Sequence, residues 1–128
     1  MVIDTSALLA ILLGEKEVRD FNERIEADAT RLLSAASYLE AAIIIDDRLG
    51  PEGGRDLKLF LVEADIEVVP VTLEQVDVAR EAYRSFGRGN HPARLNFGDC
   101  FAYALAKVTD EPLLYKGEDF AKTDLAAA

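Results

Sequence analysis

The sequence predicts a three-layer α/β/α domain with a central, mostly parallel sheet of four to five strands. Short apolar runs alternate with longer segments of helical periodicity, which is the pattern of strands joined by crossover helices. The chain has 128 residues and is 50% hydrophobic, enough for one core without disulfide support. No repeat, low-complexity tract or linker divides it, so residues 1–128 are expected to form one domain.

The first predicted strand is Val2-Ile3, an apolar pair followed at once by polar residues. A hydroxyl of Thr5 or Ser6 can cap the next helix, which is expected to begin near Ala7. Gly14 then interrupts the helical pattern. A second, charged helix follows, with apolar residues at helical spacing: Val18, Phe21, Ile25 and Ala29.

The second predicted strand, Leu32-Leu33, precedes a helix that contains Glu40 and ends at Gly50-Pro51. Proline cannot continue a helix, because it lacks the backbone N–H and clashes with the preceding turn. A loop over residues 52–54 is therefore expected. The helix after this loop has one apolar face, formed by Leu57, Phe60, Leu61 and Ala64.

The third predicted strand spans Ile66 to Val71, the segment richest in β-branched residues. Thr72 and Gln75 then form a capping-box pattern, which starts a helix that ends at Gly87. The inner face of this helix is expected to consist of Val76, Ala79 and Tyr83.

The last predicted helix is apolar on nearly every face, so it should be central. Asn96 can cap it, and it is expected to cover residues 97 to about 108. Pro112 precedes a final strand, Leu113 to Tyr115. Because the strands are separated by helices, the sheet should be parallel and should bind ligands at the carboxyl ends of its strands.

Three acidic residues are each the only charged side chain in an otherwise apolar stretch. Asp4 stands alone among the first 13 residues, Glu40 within 32–45 and Asp99 within 95–106. A buried carboxylate without a partner costs several kcal/mol or takes up a proton. Oxygen ligands from separate segments are what Mg²⁺ or Mn²⁺ uses, so the pattern predicts a metal-dependent phosphoryl-transfer site.

Each of these acids also has an explanation that involves only a helix terminus. Asp4 can cap a helix, and Glu40 can complete a capping box with Ser37. Asp99 lies three residues after Asn96, where a negative charge favours the helix start. Helix termini do not explain why all three apolar stretches lack Lys and Arg, so the shared metal site is the favoured interpretation.

The net charge of −10, from 14 basic and 24 acidic residues, disfavours general nucleic-acid binding and favours basic protein partners. A local RNA contact is still possible in one segment. Residues 82–98 contain no acid and carry four cationic or titratable side chains, namely Arg84, Arg88, His91 and Arg94. These side chains are candidates for phosphate contacts, the alternative being a solvated surface.

The composition predicts a cytoplasmic protein. The single cysteine, Cys100, cannot pair within the chain and is expected to be a buried, reduced thiol. The longest apolar run, Ala7 to Leu13, is far below the ~20 residues that span a bilayer. Asp4 stands where a signal peptide would carry positive charge, so neither a secretion signal nor a membrane segment is expected.

Four segments resemble the PIN-domain ribonucleases, specifically the VapC-type toxins. They occur in the family's order and span the whole chain: Met1–Ala7, Ser34–Glu40, Leu95–Ala106 and Leu113–Phe120. The resemblance implies a Mg²⁺- or Mn²⁺-dependent endoribonuclease that cuts RNA and is the toxin of a type II toxin–antitoxin pair. It also implies a VapB-type antitoxin as partner and a homodimer, forming a heterotetramer or larger complex with the antitoxin.

The resemblance assigns the family's three principal acids to Asp4, Glu40 and Asp99. The ligand type then suggests that these carboxylates hold one or two divalent ions, and that a metal-activated water attacks the scissile phosphate. No protein nucleophile is required. Glu40 could ligate directly, bind through water, or orient the attacking water as a base.

The family's looser fourth acid matches Asp119, although Glu118 and Asp124 are close enough to substitute. Lys116 could pair with Asp119 or contact a phosphate. The remaining candidates for hydroxyl support, helix capping or RNA contact are Thr5, Ser6, Asn96, Arg84, Arg88 and Arg94.

Two other functions remain open. A receiver-like or phosphatase-like phosphotransfer domain also holds Mg²⁺ on a similar sheet. Such phosphatases favour a second Asp two residues after the first, where Ser6 stands, and the only two consecutive aspartates, Asp46 and Asp47, lie in a predicted helix. A PIN-like binding module without catalysis is the second alternative, and the presence of all three principal acids argues against it.

Overall fold

The computed structural model describes all 128 residues, and its centre is a sheet of four strands. These are β1 (Val2–Ile3), β2 (Leu32–Ser34), β3 (Glu67–Val69) and β4 (Leu113–Leu114), in the spatial order β3-β2-β1-β4. All three neighbouring pairs are parallel. The predicted α/β class and parallel sheet are confirmed, although β3 and β4 are shorter than predicted.

The sheet lies between two layers of helices, as predicted. Consecutive residues of each strand contribute to opposite cores, because successive side chains of a strand point to opposite faces of the sheet. Val2 and Leu113 belong to one hydrophobic core, and Ile3 and Leu114 to the other. The helices are α1 (Thr5–Leu12), α2 (Val18–Ala27) and α3 (Ala35–Glu63) on one face, and α4 (Leu73–Phe86) and α5 (Phe97–Thr109) on the other.

Helix α3 is interrupted at Gly50, whose backbone has φ 67° and ψ −160°. The predicted stop at this position is therefore confirmed as a break. The predicted loop over residues 52–54 is wrong, because the helix resumes at Pro51, where a missing N–H costs nothing. Gly53 is buried at the joint, and a Cβ there would lie 2.9 Å from Cγ2 of Ile45. The missing side chain lets the two halves of α3 pack closely.

The inner face of α4 differs from the prediction. Of the three residues expected there, Ala79 packs against the core, whereas Val76 and Tyr83 are 38% and 42% exposed. The buried positions are instead Gln75 and Ala82. Gln75 can be buried because its side-chain Nε2 donates to a backbone carbonyl at 3.2 Å. The helix thus presents Val76 and Tyr83 to the surface.

The chain topology places a crevice at the end of β1. From β1 the chain builds β2 and β3 on one side, then crosses to add β4 on the other side. Ligands bind at such a switch in strand order, outside the carboxyl ends of the strands. Asp4 is located there, since its backbone N–H donates to the carbonyl of Leu114 at 2.9 Å. No helix has both the length and the apolar character needed to cross a bilayer.

Candidate active site

Asp4 is the first residue after β1 and is only 4% exposed. Its Oδ2 caps α1 by accepting hydrogen bonds from the backbone N–H of Ser6 at 2.9 Å and from Ser6 Oγ at 2.6 Å. The predicted hydroxyl cap is therefore wrong, because the carboxylate takes that position and the helix begins at Thr5. Burial raises the pKa of Asp4 from 3.8 to about 6 despite these hydrogen bonds, and the charge of Glu40 adds to the rise.

The two hydroxyls beside Asp4 have different contacts. Ser6 Oγ donates to Asp4 and accepts a hydrogen bond from the backbone N–H of Lys116 at 2.9 Å. It thereby links Asp4 to the segment that follows β4. Thr5 Oγ1 instead donates to the carbonyl of Ser37 at 3.3 Å. Ser6 is therefore the hydroxyl that positions the first acid.

Glu40 projects from the early part of α3 toward α5. The predicted capping box of Ser37 with Glu40 is wrong, because α3 begins earlier and is capped by Ser34. The Ser37 hydroxyl is buried without a hydrogen-bond partner. Glu40 lies against Gly98 of α5, where an added Cβ would be 3.0 Å from Cδ and 3.1 Å from Oε1 of Glu40. The bare backbone at Gly98 thus makes room for this carboxylate.

Asp99 lies in the first turn of α5, within a complete capping box. Asn96 Oδ1 accepts from the backbone N–H of Asp99 at 2.9 Å, and Asp99 Oδ2 accepts from that of Asn96 at 3.0 Å. The helix-terminus explanation therefore holds for Asp99. It is incomplete, because the hydrogen bond from Asn96 alone would lower the pKa of Asp99. Burial instead raises this pKa to about 7, and repulsion from Asp4, Asp119 and Glu40 adds to the rise.

The structure thus brings together acids from four separate parts of the chain. Asp4 follows β1, Glu40 lies on α3, Asp99 lies on α5, and Asp119 follows β4. Electrostatic repulsion acts between Asp4 and Glu40, and between Asp99 and each of the other three. Two carboxyl groups whose pKa values are raised by burial, and further by neighbouring carboxylates, mark this crevice as a candidate functional site.

The structure separates the three candidates for the fourth acid. Asp119 is exposed, and its charge acts on Asp99. Asp124 accepts hydrogen bonds from the Tyr103 hydroxyl at 2.6 Å and from Lys107 Nζ at 2.9 Å. These bonds outweigh burial and hold the pKa of Asp124 below its ordinary value. Asp124 is thus engaged elsewhere, and Asp119 is the candidate whose charge acts on Asp99.

Lys116 does not neutralise this cluster. Its Nζ forms ion pairs with Glu15 and with Glu17, the latter at 3.1 Å. Of the two open alternatives for Lys116, the pairing with Asp119 is therefore not formed, and the phosphate contact stays a prediction. Both partners lie in the connection between α1 and α2, about 100 residues away in sequence, so neighbouring sequence could not indicate them.

A divalent cation fits the donor set. No three His, Cys, Asp or Glu side chains form a ready-made ligand cluster in this structure. Mg²⁺ usually retains several waters and binds only one or two carboxylates directly, so a spread of carboxylates suits it. Burial and then repulsion from Asp4, Asp119 and Glu40 raise the pKa of Asp99, and a cation relieves such repulsion. The residues therefore fit Mg²⁺ or Mn²⁺ with water completing the coordination.

The predicted basic residues are only partly gathered in one place. Arg84 and Arg88 line a groove of about 680 Å³ between α4 and α5, together with Arg80, which the sequence analysis missed. Arg80 lies four residues before Arg84 on α4, a helical spacing that could have revealed it. Arg94 and His91 lie in the following loop and are not part of the lining. We call this cavity the α4–α5 groove.

Cys100 also lines the α4–α5 groove, yet it is 5% exposed and free, as predicted for a buried thiol. Its Sγ donates to the carbonyl of Asn96 at 3.2 Å. Burial, together with the charge of Asp99, raises the pKa of Cys100 from 9.0 to about 11. The thiol remains protonated at neutral pH, so it is not an activated nucleophile.

Comparison with known proteins assigns the family. The sequence profile described as "PIN domain" matches residues 1–125. A relative named "VapC ribonuclease Mb0640" from Mycobacterium bovis is 54% identical over 126 residues, covering 98% of this chain and 96% of its own. This chain belongs to the PIN-domain family and is of the VapC type. The VapC-type assignment rests on nearly the full length of both chains.

Two solved structures share the fold of this chain. One is VapC20 of Mycobacterium tuberculosis, described as a "Sarcin-Ricin loop cleaving toxin", with a TM-score of 0.79, 16% identity and coverage of 99% of this chain and 97% of that one. The other belongs to a toxin–antitoxin complex from Klebsiella pneumoniae, with a TM-score of 0.75, 14% identity and coverage of 99% and 95%. At these identities the likeness establishes the fold of the domain.

Proposed function

We propose that this VapC-type protein is a Mg²⁺- or Mn²⁺-dependent endoribonuclease and the toxin of a type II toxin–antitoxin pair. The observation that carries the proposal is the meeting of Asp4, Glu40, Asp99 and Asp119 at the switch in strand order, where burial and neighbouring carboxylates raise the pKa of Asp4 and of Asp99. The ribonuclease name of the 54% identical relative supports RNA as the substrate.

The proposed roles follow from the contacts of each side chain. Asp4 and Asp99 would hold the metal directly, while Glu40 would ligate it, bind it through water or orient the attacking water. Asp119 adds charge at the edge of the site. A bound divalent ion supplies a water of lowered pKa and stabilises charge on the phosphate in an in-line displacement.

Two further residues act as positioning groups in this proposal. Ser6 fixes Asp4 by two hydrogen bonds from its N–H and its hydroxyl. The Asn96 N–H fixes one oxygen of Asp99. Both acids are therefore oriented before substrate arrives, which reduces the reorganisation required during reaction.

The proposed partners are RNA, a VapB-type antitoxin and a second copy of the chain, with the antitoxin complex a heterotetramer or larger, in the cytoplasm. The structural neighbour from a toxin–antitoxin complex supports the antitoxin. A net charge of −10 suits an antitoxin with a basic arm over the acidic crevice. Arg84 and Arg88 are the proposed contacts for RNA phosphates, and Arg94 is an exposed candidate nearby in sequence.

The proposed function is tested by incubating the purified chain with total RNA and mapping the new ends. Cleavage is expected with Mg²⁺ or Mn²⁺ and is expected to disappear in EDTA, because no side chain in the site is an activated nucleophile. Restoring either metal should restore the same cleavage sites. Cleavage that continues unchanged in EDTA would contradict the metal-dependent proposal.

Replacing Gly98 by alanine is expected to lower the cleavage rate about tenfold or more, because displacement of a catalytic group by ~1 Å costs up to ~100-fold. The added methyl would occupy the space of the Glu40 carboxylate. The fold should be kept, since Ala favours a helix over Gly by about 1 kcal/mol and the displaced group is the end of a flexible side chain.

The matched control for this variant is Gly54→Ala. Gly54 is also helical, and its Cβ would meet a carboxylate oxygen of the exposed Asp46 at 3.0 Å. Cleavage rates and melting temperatures of both variants should be measured together. Equal activity of the two variants would show that the Glu40–Gly98 contact does not matter for cleavage.

A further inference from the structure

The α4–α5 groove combines flat aromatic surface with positive charge. Its aromatic members are Tyr83, Phe97 and Phe101, and its charged members are Arg80, Arg84 and Arg88. No acid lines it, although acidic residues outnumber basic ones 24 to 14 in the chain. The groove therefore suits a ligand that is both anionic and planar.

Phe97 is the most exposed large apolar side chain, at 78%. Burying a phenylalanine side chain is worth about 1.5–3 kcal/mol, so an aromatic ring left in water is a ready contact surface. Phe97 meets Phe101 edge to face, with ring centroids 4.9 Å apart and an interplanar angle of 87°. Phe101 therefore supports the Phe97 ring on one side.

The arginines of the groove are available to a ligand. Arg84 makes one ion pair, with Glu81, at 3.4 Å between two exposed side chains. Such an exposed pair contributes roughly 0–1 kcal/mol, so a phosphate can displace it readily. Arg80 and Arg88 are exposed and form no ion pair within the chain.

The groove and the acid cluster are adjacent at the start of α5. Asn96 lines the groove and also donates its backbone N–H to Asp99 Oδ2. Cys100 also lines the groove and follows Asp99 directly, and the charge of Asp99 acts on its thiol. A chain of nucleotides with one phosphate at the acids therefore has a neighbouring nucleotide within reach of the groove.

We propose that the α4–α5 groove binds an unpaired nucleobase of the RNA substrate beside the scissile phosphate. Phe97 stacks on the base, and Arg84 and Arg88 bind the flanking phosphates. Stacking requires a base that is free of its own neighbours, so the groove selects single-stranded RNA over a duplex. The inference rests on the proposed ribonuclease function and identifies Phe97 as a specificity-determining residue.

Two copies of the chain could also meet at this groove, since exposed apolar surface suits a protein interface. The positive charge of the groove favours RNA over a second copy of the chain. In a two-fold dimer the same groove would lie on both sides of the axis, so arginines would approach arginines. Oligomeric state must therefore be measured alongside RNA binding.

The test is binding of a fluorescent single-stranded RNA oligonucleotide to the full chain carrying Asp4→Asn, in EDTA. Adding Phe97→Ala is expected to weaken binding about tenfold, the effect of losing one stacked base. Phe97→Tyr should restore most of the affinity. Leu73→Ala is the matched control, since Leu73 is 76% exposed on α4 and does not line the groove. A duplex of the same sequence should bind less well than the single strand.

Cleavage mapping separates this inference from the proposed function. If the parent chain cuts RNA and Phe97→Ala cuts the same bonds at the same rate, the nucleobase site is refuted while the ribonuclease stands. If the parent chain cuts no RNA with Mg²⁺ or Mn²⁺, the proposed function itself fails. Light scattering that shows Phe97→Ala converting a dimer to a monomer, with RNA affinity per chain unchanged, would assign the groove to self-association and overturn the inference.

Discussion

Replacing Asp4 or Asp99 by asparagine is expected to reduce Mg²⁺-supported RNA cleavage by at least about 100-fold, the scale of losing one strong electrostatic contact at a reacting centre. Asparagine has the same shape but no charge, so it is a poor ligand for a hard divalent ion. Initial rates on a defined RNA substrate at saturating Mg²⁺ measure the effect.

Both substitutions preserve the local hydrogen bonds. An amide oxygen at residue 4 can still accept from the Ser6 N–H and hydroxyl, and one at residue 99 can still accept from the Asn96 N–H. The folds should therefore survive, which circular dichroism can check. Asp47→Asn is the matched control, because Asp47 is exposed on α3. Parent-like cleavage by either active-site variant would show that the acids were assigned the wrong role.

The sequence was sufficient to predict the fold class, because strand and helix signals are local. Val2-Ile3 and Leu32-Leu33 are too short and too apolar to be anything but buried strands between amphipathic helices. The break at Gly50-Pro51 was also predictable from the backbone limits of those two residues. The resumption of the helix at Pro51 was not predicted, although proline is compatible with the first position of a helix, where its missing N–H costs nothing.

Hydrophobic periodicity alone did not identify the buried face of α4. Residues 76, 79 and 83 and residues 75, 79 and 82 both fit a helical stripe, and the first set is the more hydrophobic. The structure selects the second set, because Gln75 satisfies its side chain internally while Val76 and Tyr83 line the α4–α5 groove. A functional surface can thus reverse the assignment that hydrophobicity favours.

Isolation of the acids within apolar stretches was enough to nominate Asp4, Glu40 and Asp99. Their surroundings were beyond the sequence, because the relevant contacts join distant segments. The Glu40–Gly98 approach and the Ser6–Lys116 hydrogen bond each depend on how helices and strands pack. Long-range contacts of this kind carry no local signal, whereas a cap such as the Asn96–Asp99 pair does.

In the absence of metal, Asp4→Asn is expected to stabilise the protein at pH 8. The pKa of Asp4 is about 6 in the folded chain, above its ordinary value of 3.8. The folded state therefore binds this proton more tightly, so the stabilisation is complete below pH 3.8 and is lost as pH rises through about 6. The difference corresponds to a penalty on the order of 3 kcal/mol at pH 8.

Asparagine removes this penalty, since it carries no charge to bury. In EDTA the melting temperature of the variant should exceed that of the parent chain by roughly 10–15 °C at pH 8, and the gap should close near pH 4. Calorimetry across this pH range tests the sign as well as the size. A variant less stable than the parent at pH 8 would mean that the Asp4 carboxylate is satisfied by its hydrogen bonds.

Adding metal should reverse the order of the two proteins. A ligand that binds only the folded state stabilises it by about 4.1 kcal/mol at 1,000 times its dissociation constant, which exceeds the penalty at Asp4, and Asp4 is a proposed ligand. Mg²⁺ or Mn²⁺ should therefore raise the melting temperature of the parent chain and leave that of Asp4→Asn nearly unchanged. Because metal competes with the proton on Asp4 and Asp99, the shift should grow from pH 5 to pH 8. An equal shift in both proteins would place the metal away from Asp4.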